Sequence, residues 1–247
     1  MKNAILNTLD YSRDLIISPD IDGLTSARLL EDFNGSRVVG TYDKNVMTLM
    51  DGIDPKQCLF VDCDMNRAEY VSIGNHMRLM EDNIASESFN PNVYYQVNKY
   101  SDKYPFATAF LISFATGVPT SHETKLSMAY ADSTYKNLVS YSDNMNKWHS
   151  RMNHEALDFV FELSDDNVIE LLYLEEDYPS QGFVSKRLGQ KNYLKAMSAI
   201  LDIELTEYFK FVPGKIDKNT LIRYNKDIIS YAEIYGGEYA VTYDQEM

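Results

Sequence analysis

The stretch Ile16-Ile17-Ser18-Pro19-Asp20-Ile21-Asp22-Gly23-Leu24-Thr25-Ser26-Ala27 constrains the fold more than any other part of the chain. It reads as a buried strand that breaks at a proline and passes directly into a helix. Arg13 to Ser18 has an apolar centre of strand type, Pro19 ends it, and Gly23, Thr25 and Ser26 open an amphipathic helix that runs through Phe33. A strand-to-helix turn of this kind sets its side chains at the carboxyl edge of a parallel sheet, where such sheets bind ligands. Asp20 and Asp22, one residue apart on that turn, offer the hard oxygen donors that divalent cations take. The competing role for both is local, since Asp also favours turns and helix caps.

Other segments repeat the theme. Cys58-Leu59-Phe60-Val61-Asp62-Cys63-Asp64 is a second apolar strand ending in acids, and Ile73-Gly74-Asn75-His76-Met77 puts a histidine just after a short apolar segment. Met128-Ala129-Tyr130-Ala131-Asp132-Ser133 closes a helical pattern on another aspartate. A short strand at Arg37 to Gly40 precedes an irregular acidic segment around Asp51 to Asp54, and Met65 to Tyr70 has room for a turn or two at most. Strands alternating with helical patterns predict an α/β class with a parallel sheet and crossover helices.

Beyond residue 90 the pattern predicts a strand near Val93 to Val97, then an apolar helix from Tyr104 to Gly117 ended by Gly117 and Pro119. Ser121-His122-Glu123-Thr124 reads as a helix start with Glu placed for a capping box. Helical spacing dominates Tyr135 to Asp177, where Trp148, Met145 and Met152 read as packing residues, and His149 and His154 lack the spacing of a zinc site. Breakers at Asp177 to Gly182 mark a boundary. The division is 1-150 for the parallel-sheet domain, 151-178 for a helical linker, and 179-247 for a smaller α/β domain. That last part opens with a basic patch, Lys186, Arg187, Lys191 and Lys195. It continues as a strand at Thr220 to Arg223, a helix at Ile228 to Ala232 and a glycine-rich turn at Tyr235 to Ala240.

With 23 basic against 37 acidic residues and a net charge of -14, the chain lacks the clustered cations needed to coat long nucleic acid. A short oligonucleotide held through metal ions stays open. No apolar run approaches a bilayer span, and Met1 to Tyr11 has neither a basic start nor an apolar core. The expectation is a cytoplasmic protein with no membrane partner, in which Cys58 and Cys63 are reduced, buried thiols.

In order and flavour these motifs resemble the DHH phosphoesterase superfamily, which includes RecJ-type exonucleases, NrnA-type oligoribonucleases, cyclic-dinucleotide phosphodiesterases and inorganic pyrophosphatases. The first family motif, Asp-x-Asp-Gly-x-x-Ser-Ala, is matched by Asp20, Asp22, Gly23, Ser26 and Ala27. Val61 and Asp62 match the second, and Ala131 and Asp132 the fourth. In the third, Asp-His-His, this chain has Asn75-His76-Met77, so only the middle residue agrees. The tail resembles the DHH-associated domain at Arg223, Gly236, Gly237 and Ala240, with Glu238 and Tyr239 departing from its Gly-Gly-Gly-His pattern.

The resemblance implies two Mn²⁺ (or Mg²⁺) ions held by Asp20, Asp22, Asp62, His76 and Asp132 as the metal-binding and catalytic set. It implies substrate contacts from Asn75, Arg223, Gly236 and Gly237, and hydrolysis of a short nucleic acid or small nucleotide. Asn75 and Met77 favour an alternative, a catalytically degenerate module that binds nucleotides or nucleic acid ends. The acidic charge and trimmed spacing favour a structural helper in a larger assembly. Whether the chain forms a homodimer is left open by the sequence.

Overall fold

The computed structural model describes residues 1-9, 12-78, 84-164, 166-168, 171, 190-210, 212-219, 228-235 and 238-243. After a first helix, Lys2–Leu9 (α1), the opening strand Leu15–Ile17 (β1) leads through Asp20 into Ile21–Asn34 (α2). Val38–Tyr42 (β2), Val46–Leu49 (β3), Leu59–Val61 (β4) and Val71–Ile73 (β5) follow. These strands and Thr206–Lys210 (β6) form one sheet in the order β5-β4-β1-β2-β3-β6. The ladders β1 to β2, β1 to β4 and β4 to β5 are parallel, while β3 is antiparallel to both β2 and β6.

The parallel strands are short, continuous and apolar because both faces are covered. Leu15, Ile17, Leu59, Val61, Val71 and Ile73 face a core shared with α2 and with Thr108–Thr116 (α4), His122–Tyr130 (α5) and Ser142–Met152 (α7), including the fully buried Trp148. Ile16 and Phe60 point the other way, toward Val39, Tyr42, Met47 and Ile229. Register decides where the site forms. Ile17 pairs with Val61 and Val61 with Ile73, so Ser18, Asp62 and Gly74 emerge side by side at one edge. The ladder continues one step beyond the strands, with Ser18 N–H donating to Val61 O at 3.1 Å and Asp62 N–H to Ile73 O at 2.8 Å.

Helices Thr134–Ser140 (α6), Glu155–Phe161 (α8) and Gln190–Leu201 (α9) follow among the described residues. Val212–Asp217 (β7), Ile228–Tyr235 (β8) and Glu238–Tyr243 (β9) make a second, antiparallel sheet in the order β7-β9-β8. It is fastened to the first by polar contacts. Tyr42 Oη and Ser230 Oγ are 2.6 Å apart, Asn66 N–H donates to Ile229 O at 2.6 Å, and Thr242 Oγ1 donates to Lys44 O at 2.9 Å. The buried Arg78 donates to Met65 O at 2.8 Å and stacks 5.1 Å from the Tyr231 ring centroid. No helix among the described residues is long and apolar enough to cross a membrane.

The fold is α/β, as the alternation predicts, with several local differences. Strand β3, which reverses the chain against β2, falls between the strand expected at Arg37 to Gly40 and the acidic segment around Asp51 to Asp54, where the sequence reading places no element. The strand expected near Val93 to Val97 is instead a short helix, Pro91–Tyr94 (α3). Asn90 caps it by accepting from the amides of Asn92 and Val93, and Pro91 has the φ of a first helical residue. The helix expected over Ile228 to Ala232 is strand β8, because its β-branched and aromatic residues pair along β9. The helix of Tyr104 to Gly117 is present as α4, ended by Gly117 at φ 69°. Trp148, Met145 and Met152 pack in the core.

Candidate metal centre

Asp20 starts the site at the turn between β1 and α2. Its extended backbone makes it the N-cap of α2, and its Oδ1 accepts from Gly23 N–H at 3.1 Å. Gly23 is needed here, since a Cβ at that position would collide with the carbonyl and hydroxyl of Ser18. Two residues on, Asp22 is 1 % exposed and reaches across to α4, which has no cap of its own at Ala107. Asp22 Oδ2 accepts from Thr108 N–H at 2.7 Å and Oδ1 from Ala109 N–H at 2.9 Å. Both carboxylate oxygens thus take orphan amides of a helix N-terminus, the end that favours negative charge.

Asp62 follows β4 with φ 56°, and Asp132 follows α5 with φ 53°. Both lie in the left-handed region, which Asp tolerates better than most residues and which concentrates at functional sites. Oxygens of Asp22, Asp62 and Asp132 lie within 4.8 Å of one another, a set that can hold a metal ion. Asp62 is oriented from both sides, accepting from Ser18 Oγ at 2.7 Å and from Thr108 Oγ1 at 2.8 Å. Ser18 Oγ is also 2.8 Å from Asp20 Oδ1. A hydroxyl has one proton to donate, so one of these two contacts requires a protonated carboxyl or a cation.

The electrostatics follow from crowding. Burial pushes the carboxyls of Asp20, Asp22 and Asp62 up, Asp22 to about 8. Repulsion adds to this, from Asp132 on Asp20, from Asp132 and Asp20 on Asp22, and from Asp22 on Asp62. Amides and hydroxyls offset only part of the push. Such a cluster wants protons or cations.

His76 lines the same cavity as Asp20, Asp62 and Asp132, about 460 Å³ in volume, without joining the close carboxylate set. Its Nδ1 is 2.9 Å from Asp64 Oδ2, and its backbone N–H donates to the same oxygen at 3.1 Å. Asn90 Nδ2 donates to Asp64 Oδ1 at 2.7 Å. Burial alone would raise the Asp64 carboxyl, but His76, Arg78 and Asn90 hold it below its ordinary value. Gly74 permits this close approach, because a Cβ there would strike the Asp64 carboxylate. With Nδ1 engaged, Nε2 has no hydrogen-bond partner among the described residues, an arrangement common at metal-binding histidines.

Asn75 also lines the cavity, and its Nδ2 donates to Phe106 O at 2.9 Å and Asp132 Oδ2 at 2.6 Å. Met77 is 5 % exposed and packs in the core. Arg223, Gly236 and Gly237 lie outside the described residues, as do Lys186 and Arg187. Of the other histidines, His149 Nε2 is 2.6 Å from Asp158 Oδ1, and His122 and His154 meet Phe159 and Phe114 edge-on.

Sequence reasoning passed over Ser18, Asp64, Thr108 and Asn90. A signal existed for Asn90, which precedes a proline as helix caps do, whereas Thr108 reaches the site only through tertiary packing. No family model, curated protein or solved structure matches the chain significantly.

Proposed function

We propose that the chain is a divergent relative of the DHH phosphoesterases that hydrolyses phosphodiesters with two Mn²⁺ (or Mg²⁺) ions. Its substrates would be short oligonucleotides, single-stranded nucleic acid ends or small, including cyclic, nucleotides. The observation that carries this reading is the convergence of Asp22, Asp62 and Asp132 within 4.8 Å at the carboxyl edge of the parallel sheet. Bound divalent cations would supply a water of lowered pKa and neutralise charge on the phosphoryl oxygens.

The chain's own residues have separable parts in this. Asp22, Asp62 and Asp132 offer oxygens, with Asp20 and His76 beside them as further donors. Ser18 and Thr108 fix the Asp62 carboxylate by hydrogen bonds at 2.7 and 2.8 Å. Asp64 holds His76 in one orientation through Nδ1. Met77, buried in the core, takes no part in substrate binding.

A second reading, a degenerate module that binds nucleotides without cutting them, is favoured by one contact. Asn75 Nδ2 sits 2.6 Å from Asp132 Oδ2 and occupies an oxygen that a cation would use.

Hydrolysis of short 5′-labelled DNA and RNA and of cyclic dinucleotides with Mn²⁺, beside an Asp62→Ala control, separates the two. Cleavage that falls to background in the control is the expected result. Tight Mn²⁺ binding without cleavage would replace the first reading by the second, and loss of both would contradict both.

A further inference from the structure

We propose that Asn137, together with the aromatic wall of segment 100-106, forms a nucleobase subsite that selects bases carrying an exocyclic amino group, adenine and cytosine, over their carbonyl counterparts. The inference rests on the phosphodiester reading above and deepens it by naming the base of the substrate.

Tyr100, Tyr104, Pro105 and Phe106 make one wall of the carboxylate cavity, and Asn137 lines it as well. The wall is held from several sides. The Tyr104 ring meets Phe106 and Trp148 edge-on, with centroids 5.4 and 5.3 Å away. Tyr104 N–H donates to Asn92 Oδ1 at 2.6 Å, and Ala107 N–H to Thr134 Oγ1, at the start of α6, at 3.2 Å. Asn75 ties the wall to the carboxylates by donating to both Phe106 O and Asp132 Oδ2. A ligand whose phosphate sits at the carboxylates therefore has this wall beside it.

Asn137 lies in the opening of α6, soon after Asp132 in the chain. Chemistry settles which way its amide faces. Asn137 Nδ2 donates to Pro105 O at 2.7 Å. A carbonyl oxygen only accepts, so the amide turns its NH2 to Pro105 and leaves Oδ1 on the other side. Among the described residues Oδ1 has no hydrogen-bond partner. The cavity thus carries a fixed acceptor that lacks a donor.

An exocyclic amine supplies that donor. A carbonyl at the same place, as in hypoxanthine or uracil, would set two oxygens against each other and leave Oδ1 unpaired. A ribose hydroxyl could also donate, but the aromatic wall favours a flat base over a sugar. Tyr100 is only partly buried and offers ring surface on which a base stacks. The volume of about 460 Å³ is that of a small-ligand pocket and suits a short nucleotide.

Calorimetric titration of the full chain with diadenylate and with diinosinate, which differ by an amino-for-carbonyl exchange on each base, tests this. The measurements use Ca²⁺, a hard cation that takes the same oxygen ligands. Diadenylate is expected to bind about tenfold tighter or more. The difference should vanish in Asn137→Leu, which keeps the size but not the acceptor, and persist in an Asn146→Leu control on the exposed side of α7. Circular dichroism establishes that Asn137→Leu is folded. Dicytidylate against diuridylate repeats the exchange on a smaller ring and needs no variant, with the amino form again expected to bind tighter.

Equal affinity within both pairs in the wild type, or a preference that survives in folded Asn137→Leu, would overturn the proposal. A preference for ribo- over deoxyadenylate that Asn137→Leu removes, with the diadenylate-to-diinosinate ratio unchanged, would assign Oδ1 to the sugar and overturn it too. Wild-type hydrolysis of bis(p-nitrophenyl) phosphate with Mn²⁺, a substrate without a base, reports separately on the phosphoesterase. Hydrolysis without the Asn137-dependent preference removes the base subsite alone. The preference without any hydrolysis supports the subsite and removes the phosphoesterase.

Discussion

Asp22 gives both of its oxygens to the amides of Thr108 and Ala109, yet its carboxyl is pushed up to about 8 by burial and by Asp132 and Asp20. Asp20 and Asp62 are raised for the same reasons. A carboxyl whose pKa is higher folded than unfolded stabilises the fold fully below the unfolded value and loses that contribution as pH rises through the folded one. Metal-free protein is therefore expected to lose stability between about pH 4 and pH 8. The opposite effect from Asp64, held below its ordinary value, is confined to lower pH. Thermal melts in EDTA should fall by about 5 °C or more from pH 5.5 to 8, and Mn²⁺ should restore the loss. A melting temperature that is flat or rises over this range would show that burial and mutual repulsion do not raise these carboxyls.

At the scale of elements, the site is made where β1, β4 and β5 end together and two helices begin or end against them. Gly74, after β5, lets the Asp64 carboxylate close on His76. Gly74→Ala should displace Asp64 and free the His76 ring, lowering Mn²⁺ affinity by about 10- to 100-fold with secondary structure unchanged. Calorimetry and circular dichroism check the two halves of that statement. The strand, proline and Asp-x-Asp-Gly run made β1, the turn and α2 legible because their signals are local. Asp62 and Asp132 were legible as acids at element ends. Their left-handed backbones and the support from Thr108 were not, since these depend on α4 packing against α2. Strand β8 was misread as a helix because Ile228 to Tyr235 mixes apolar and polar residues in a run that only pairing with β9 resolves.

On the scale of the whole molecule, β6 extends the first sheet, and the second sheet is tied to it through Tyr42 with Ser230, Asn66 with Ile229, and Arg78 with Met65 and Tyr231. The sequence division at residue 179 could not reveal this, because each contact joins residues more than a hundred positions apart, apart from Arg78 with Met65. Buried polar ties of this kind couple the two parts energetically. Urea unfolding should proceed in one transition by fluorescence and circular dichroism alike, with Arg78→Ala costing about 3 kcal/mol by leaving Met65 O and Asn66 without their donor. Two separated transitions would mean that the sheets fold independently.

The proposed function depends on the carboxylates of Asp22, Asp62 and Asp132 binding a divalent cation together, and calorimetric titration of the metal-free chain with Mn²⁺ tests that most directly. Saturable binding in the wild type, weakened by about a hundredfold or more in Asp62→Ala, is the result expected for a ligand carboxylate at such a centre. Absence of Mn²⁺ and Mg²⁺ binding in the folded wild type, or equal binding in the variant, would contradict it.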